Sequence, residues 1–308
     1  MRKIYGIGET VYDIIFKDGQ PQAAKPGGSM LNAMVSVGRA GLPAGFISDY
    51  GRDDVGQLID DFLESNGVDT SSVCRFQNGK TALALAFLNQ NNDARYTFYR
   101  EFPAERLTMQ APDFNSDDIL LFGSFYAITP EIRETLLGLV MAAKDKGALI
   151  IYDPNFRKAH LAELETLKPY IIENMQMADL VKGSDEDFSV IFGTSSPEEA
   201  YQAISGYCPC LVCTENSKGV QVITPSASVR FPARKITPVS TIGAGDNFNA
   251  GMITSLYHQN ITRDNLVKLD SLAWTPVISM AVDFATEVCL SYENYVSVGF
   301  AKNVTRDS

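Results

Sequence analysis

Apolar residues recur along this chain in two rhythms. Short runs rich in β-branched and aromatic residues have the length and content of buried strands: "KIYGIG" at 3–8, "AGFISDYG" at 44–51, "DDILLFGS" at 117–124, "ALIIYDPN" at 148–155, "ADLVKGS" at 178–184 and "CLVCTEN" at 210–216. Longer stretches between them have helical spacing. In "SMLNAMVSVGRAG" (29–41), Leu31, Met34, Val35 and Gly38 share one face and Gly41 follows the end; "DVGQLIDDFLESNG" (54–67) is amphipathic and closes on Gly67; "PEIRETLLGLVMAAKDKG" (130–147) is a third helix. Strands separated by helices predict a mostly parallel sheet with helices on both faces. One region breaks the rule. "TALALAFLNQNNDARYTFYR" (81–100) alternates with period two on both sides of "NQNND", as a hairpin does, and "TVYDIIFKDG" (10–19) is a candidate strand beside it. The predicted architecture is one α/β domain over 1–308, with a small β-sheet lid inserted as segments 10–25 and 81–106.

Composition narrows the function. A net charge of -11 leaves no basic face of the kind a polyanion needs, so neither nucleic acid nor an anionic membrane is an expected partner. A small anion is not excluded, because a few local cations and backbone N–H groups suffice to hold one. Five cysteines, an odd number in a long chain, suit a reducing compartment rather than a disulfide framework. Cys208, Cys210 and Cys213 in "CPCLVC" mimic a metal cluster, but they lie in a strand-like run without a fourth ligand and read as buried structural thiols. Glu9 and Asp13 interrupt the apolar start, which argues against a signal peptide. No run is expected to reach the roughly 20 apolar residues of a membrane span, and a cytoplasmic location is expected.

The chemistry gathers in "STIGAGDNFNAG" (240–251). Phe248, Ala250, Met252, Ile253 and Leu256 continue it as a helix that begins near Gly243. The first N–H groups of a helix lack internal partners, its dipole places positive charge there, and glycines let an anion come close. Asp246 sits one turn inside and faces the same spot. A carboxylate beside an anion hole makes sense if the anion is a phosphoryl group in transfer and the carboxylate accepts the proton of the attacking hydroxyl. The plain alternative is an acidic residue that stabilises the dipole by about 0.3–1 kcal/mol. Spacing alone leaves both open.

The same twelve residues resemble the C-terminal signature of the PfkB (ribokinase-like) carbohydrate kinases, D-T-x-G-A-G-D-x-F-x-x-G. "PGGSMLNAMVSVGRAGLPAGFISDYGRDDVGQLIDDFLESNGVDT" (26–70) resembles the family's N-terminal signature, and "IYGIGETVYDII" (4–15) its opening strand and substrate aspartate. The resemblance implies a ribokinase-like three-layer sandwich whose lid closes on a sugar, and ATP-dependent phosphorylation of that sugar. It implies Asp246 as catalytic base, Gly243, Ala244 and Gly245 as the anion hole, and Asp13, Gly27, Gly28 and Asn32 as partners of sugar hydroxyls. "YTFYR" and "DPNFR" resemble the fructokinase and 2-keto-3-deoxygluconate kinase branches and bring Arg100, Asn155 and Arg157 to the substrate. "VKGSDEDF" resembles a K-x-S-x-x-E stretch, which places Lys182 and Ser184 by the nucleotide and Asp187 near its Mg2+ through water. "VCTENSKGV" resembles the family's T-x-G-x-x-G phosphate loop, with Thr214, Asn216 and Gly219. Pairing of exposed lid strands in the family implies a homodimer.

The chain departs from the pattern at three places. Ser240 stands where relatives carry an aspartate that helps hold a monovalent cation, so potassium activation is in doubt. Asn216 replaces a glycine and Glu215 an apolar residue, so a side chain could crowd the phosphates and a charge repel them. Asp187 is one methylene shorter than the usual glutamate. The most concrete reading is phosphate transfer to a primary hydroxyl of a small sugar, with fructose first. A 2-keto-3-deoxygluconate, ribose or nucleoside kinase is the alternative among enzymes, the sugar acid because Arg100 and Arg157 could meet a carboxylate bidentately. A degenerate non-catalytic sugar-binding or regulatory homologue is the alternative outside them.

Overall fold

A computed structural model of the chain describes residues 1–89, 94–156 and 158–304, so Arg157 lies outside the described residues. From the N-terminus, β1 (Ile4–Ile7) leads to β2 (Val11–Lys17), β3 (Gln20–Gly27), α1 (Ser29–Arg39), β4 (Ala44–Gly51), α2 (Asp54–Ser65), β5 (Val68–Asp69), β6 (Val73–Phe76), β7 (Lys80–Leu88) and β8 (Ala94–Glu101). The second half runs β9 (Ile119–Gly123), α3 (Arg133–Asp145), β10 (Leu149–Asp153), α4 (Leu164–Met177), β11 (Leu180–Ser184), α5 (Asp185–Phe192), α6 (Pro197–Ile204), β12 (Leu211–Thr214), β13 (Val220–Ile223), β14 (Ser228–Phe231), α7 (Ala244–His258), α8 (Arg263–Leu266), α9 (Ser271–Cys289) and α10 (Val298–Val304).

Ten strands form one sheet in the order β14-β13-β12-β11-β10-β9-β1-β4-β5, with β6 beside β4. Its pairs are parallel except where β13 meets β12 and β14. Buried parallel strands serve two cores with alternate residues. In β9, Ile119 and Leu121 join the core shared with α1, α7 and α9, while Leu120 and Phe122 join the one shared with α3, α4 and α5. That gives the three layers. The carboxyl ends of β1, β9, β10 and β11 open on the same rim, where open α/β sheets place their ligands.

The remaining strands make a second sheet, β3-β2-β7-β8, with β2 and β7 parallel and both outer pairs antiparallel. This is the expected lid, and the second half of its segment 10–25 belongs to β3, a strand that had not been singled out. Sequence pattern missed β3 because "QPQAAKPG" carries two prolines and no alternation. It lies at a sheet edge, where a missing N–H is tolerated. The tail also differs from expectation. By length and composition α9 could cross a membrane, with a mean hydropathy of 1.2. Here it packs on α7 as a core helix, with Trp274, Val277, Ile278, Ala281 and Phe284 fully buried. Gly251 permits that approach, since a Cβ there would stand 2.6 Å from the Met280 carbonyl oxygen.

Candidate active site

α7 starts where the backbone turns left-handed. Gly243 has φ 79°, and a Cβ there would lie 2.9 Å from the Asn294 carbonyl oxygen, so both torsion and space demand glycine. Asn247 ties this start down. Its amide donates to the carbonyls of Gly243 and Asn294, each at 2.8 Å, and accepts from Ser36 Oγ at 2.5 Å. Ser36 Oγ in turn accepts from the Val296 N–H at 3.1 Å. Sequence reading passed over Asn247, Ser36 and Asn294. The signal was an amide side chain among apolar helix positions, which persists only where buried partners meet it.

Asp246 is buried one turn into α7. Its Oδ1 accepts from Ser29 Oγ at 2.5 Å and its Oδ2 from Asn32 Nδ2 at 2.9 Å. Ser29 and Asn32 occupy the first turn of α1, so two helix N-termini converge on one carboxylate. Gly28 makes that turn possible: it has φ 138°, and a Cβ would strike the Glu9 carbonyl oxygen at 2.2 Å. Asn155, left-handed at φ 39°, donates to Ser29 Oγ at 2.9 Å. Asp246, Asn32 and Asn155 therefore meet, through a serine that had not been singled out. Asn32 Oδ1 is buried and has no partner among the described residues, so an acceptor stands ready for a hydroxyl.

Of the three small residues before Asp246, Ala244 turns its N–H back to the Thr241 carbonyl at 3.3 Å. Gly245 is the one that faces a cation: a Cβ there would lie 3.3 Å from Lys182 Nζ. Lys182 is buried and ion-paired to Asp153 Oδ2 at 2.9 Å, and the same oxygen accepts from Asn249 Nδ2 at 2.7 Å. Burial opposes the ammonium, but Asp153, Asp187 and Asp246 outweigh it, and its pKa stands above the ordinary lysine value. Asp153 and Asn249 are thus the supports of this cation. The site presents a bare helix start, a fixed ammonium and a carboxylate together, which suits the terminal phosphates of a nucleotide and an attacking hydroxyl.

The other nucleotide-side residues are partly spent on structure. Ser184 caps α5 and Asp187 completes its capping box, accepting from the Ser184 N–H and Oγ, each at 2.7 Å, and from the Phe156 N–H at 2.8 Å. Among the described residues no group of three or more His, Cys, Asp or Glu side chains is placed to hold a metal. Cys208, Cys210 and Cys213 are free and buried. Thr214 is the register partner of Ser184 across β11 and β12. In the loop after β12, Asn216 takes φ 50° and Gly219 φ 106°, so asparagine does adopt the left-handed backbone. Glu215 is turned away to Arg230 of β14, with Nη1 and Oε2 at 2.5 Å, and its charge is neutralised there. Ser240 Oγ accepts from the Ile242 N–H at 3.2 Å in a local turn.

On the sugar side, Asp13 of β2 faces Gly27, where a Cβ would collide with its Oδ2 at 2.2 Å. Burial pushes the Asp13 carboxyl up to about 6, with Lys25 acting against the rise. Lys25 reaches the Tyr292 carbonyl at 3.0 Å and Asn294 Oδ1 at 3.4 Å, which joins the lid hairpin to the clamp at α7. Arg100 of β8 pairs with Glu9 at 2.9 Å, a partner the sequence did not suggest.

A model of the pfkB family carbohydrate kinases matches residues 1–268. The chain belongs to that family. This kinase is 30% identical over 276 residues to a fructokinase of Rhizobium leguminosarum bv. trifolii, covering 86% of this chain and 83% of that one. In structure it resembles the aminoimidazole riboside kinase of Salmonella enterica, solved with aminoimidazole riboside and an ATP analogue, at TM-score 0.83, 22% identity and 99% coverage of both chains. It is equally similar to the fructokinase of Xylella fastidiosa with bound ATP, at TM-score 0.83, 22% identity, 100% of this chain and 99% of that one. The three-layer fold and lid implied by the sequence resemblance are thus the architecture of these kinases.

Proposed function

We propose that the protein transfers the γ-phosphoryl group of ATP to a primary hydroxyl of fructose. The observation that carries this is the convergence of the α1 and α7 N-termini on Asp246, with Lys182 held against Gly245. Asp246 takes the proton of the attacking hydroxyl, while Ser29 and Asn32 aim its two oxygens. The Gly245 end of α7 and the Lys182 ammonium stabilise charge that builds on the phosphoryl oxygens. Asp13, seated against Gly27, accepts from sugar hydroxyls, and Asn32 Oδ1 takes a further one. ATP supplies the phosphoryl group. Mg2+ would be held mainly by the nucleotide's phosphates and by water, with Asp187, which also completes the α5 capping box, meeting it through water. Arg230 covers the charge of Glu215, so the altered phosphate loop does not count against nucleotide binding.

Asp246→Asn tests the assignment. It keeps the shape and should lower kcat by about 10²–10⁴-fold with fructose KM little changed; activity within tenfold of wild type refutes the base. The proposal includes a homodimer through the lid, where Tyr96, Phe98 and Tyr99 leave large aromatic surfaces exposed on the edge strand β8. Sedimentation of the purified protein as a monomer would exclude it.

A further inference from the structure

We propose that Glu9 selects uncharged sugars against sugar acids by occupying the lid arginine as a built-in carboxylate. This rests on the sugar-kinase reading above. Glu9 follows β1, and its carbonyl packs on Gly28 at the turn that leads to Ser29 and Asp246. Its backbone therefore lies at the turn that starts α1, next to the groups that would hold the sugar. Arg100 comes down from β8 to meet it at 2.9 Å, with the guanidinium 4.6 Å from the Phe98 ring. The Glu9 side chain is only a quarter exposed.

The neighbouring cation is also taken. Arg106 holds Asp49 through two bonds of 2.7 and 2.9 Å, and Tyr126 adds a third to the same carboxylate at 2.8 Å. Burial pushes the Glu9 carboxyl above its ordinary value, with Asp49 adding to the rise and Arg100, Arg106 and His160 acting against it. Asp13 contributes another carboxyl on the sugar side. On the sugar side Lys25 acts on Asp13 and is itself held by the Tyr292 carbonyl and Asn294 Oδ1, and Arg100 is the lid cation that Glu9 occupies. A sugar acid could use Arg100 only by ejecting Glu9 and leaving that carboxylate without its partner. A ketose brings hydroxyls that both donate to Glu9 and accept from Arg100, so the pair stays closed. Rejection here comes from an occupied partner rather than from lack of space.

ADP release tests this with wild type, Glu9→Gln, and Glu9→Gln combined with Arg100→Ala, each with fructose and with 2-keto-3-deoxygluconate. Wild type should prefer fructose. The acid-to-fructose ratio of kcat/KM should rise about tenfold or more in Glu9→Gln and fall back in the double variant. An unchanged ratio in a Glu9→Gln protein that still binds ATP overturns the proposal. So does a wild type that prefers the acid, or one that the acid inhibits at concentrations near its fructose KM, a measurement that needs no variant. A wild type that turns over ATP with neither compound, nor with any other sugar, overturns the sugar-kinase reading instead.

Discussion

Replacing Lys182 with methionine removes a buried cation and strands its partner. The two side chains are 5% and 1% exposed and 2.9 Å apart, so water cannot compensate the loss. Breaking such a pair from one side costs about 3–5 kcal/mol. At roughly 2 °C per kcal/mol for a chain of this size, Tm without nucleotide should fall by about 6–10 °C. Lys182→Met combined with Asp153→Asn removes both charges, and the new amide oxygen keeps the bond from Asn249 in the place of Oδ2, while the bond from the Asn155 N–H to Oδ1 is given up. Most of the lost stability should return, since paired charges often gain little over neutral groups. Activity should not return. A cation placed at the Gly245 end of α7 acts on charge that appears only during transfer, and its loss should lower kcat by about 10²–10³-fold in both variants. Calorimetric melting and coupled ADP release read the two effects separately. If the double variant recovers turnover along with Tm, Lys182 is a strut and the electrostatic role assigned to it is wrong.

The Asp13 carboxyl stands near 6 against an ordinary value of 3.8 because burial disfavours its charge. Protonation therefore favours the folded state at low pH, and that contribution is lost as pH climbs through about 6. Asp13→Asn should melt above wild type at pH 8 and by a smaller margin at pH 5; equal margins would refute this. Sugar affinity should run the other way, with KM for fructose in wild type falling as Asp13 ionises. Arg230→Ala uncovers Glu215 beside the phosphate loop and should raise KM for ATP about fivefold, the equivalent of ~1 kcal/mol, with fructose KM unchanged. Adding Glu215→Gln should restore it, and failure to do so would mean that Arg230 acts on the nucleotide itself.

The parallel core was legible because strands buried on both faces announce themselves as apolar runs, and β4, β9 and β10 lie where those runs do. β3 was not, since an edge strand needs no alternation. The carboxylate and the glycines at α7 were legible from local chemistry, because a helix start and its first turn are neighbours in sequence. Their supports were not: Asn247 answers to Ser36 and Asn294, and Lys182 to Asp153, across separations that only the fold closes. Asp187 carried a structural signal that was passed over. "SDED" is a sequence signal for a capping box, and the structure forms that box with Asp187. Glu215 looked like a repulsive charge until the β13–β14 pairing set Arg230 beside it.

The stitch from Asn247 to residues 294 and 296 bears on the order in which the molecule becomes competent. A polypeptide emerging from the ribosome presents its aspartate long before the segment that locks the surrounding helix in place. No fragment that stops short of Asn294 can finish the mouth of that helix, however well its sheet has folded. Competence therefore waits until residues 294–296 are made and docked, and a fragment that ends before them lacks the lock on its catalytic helix.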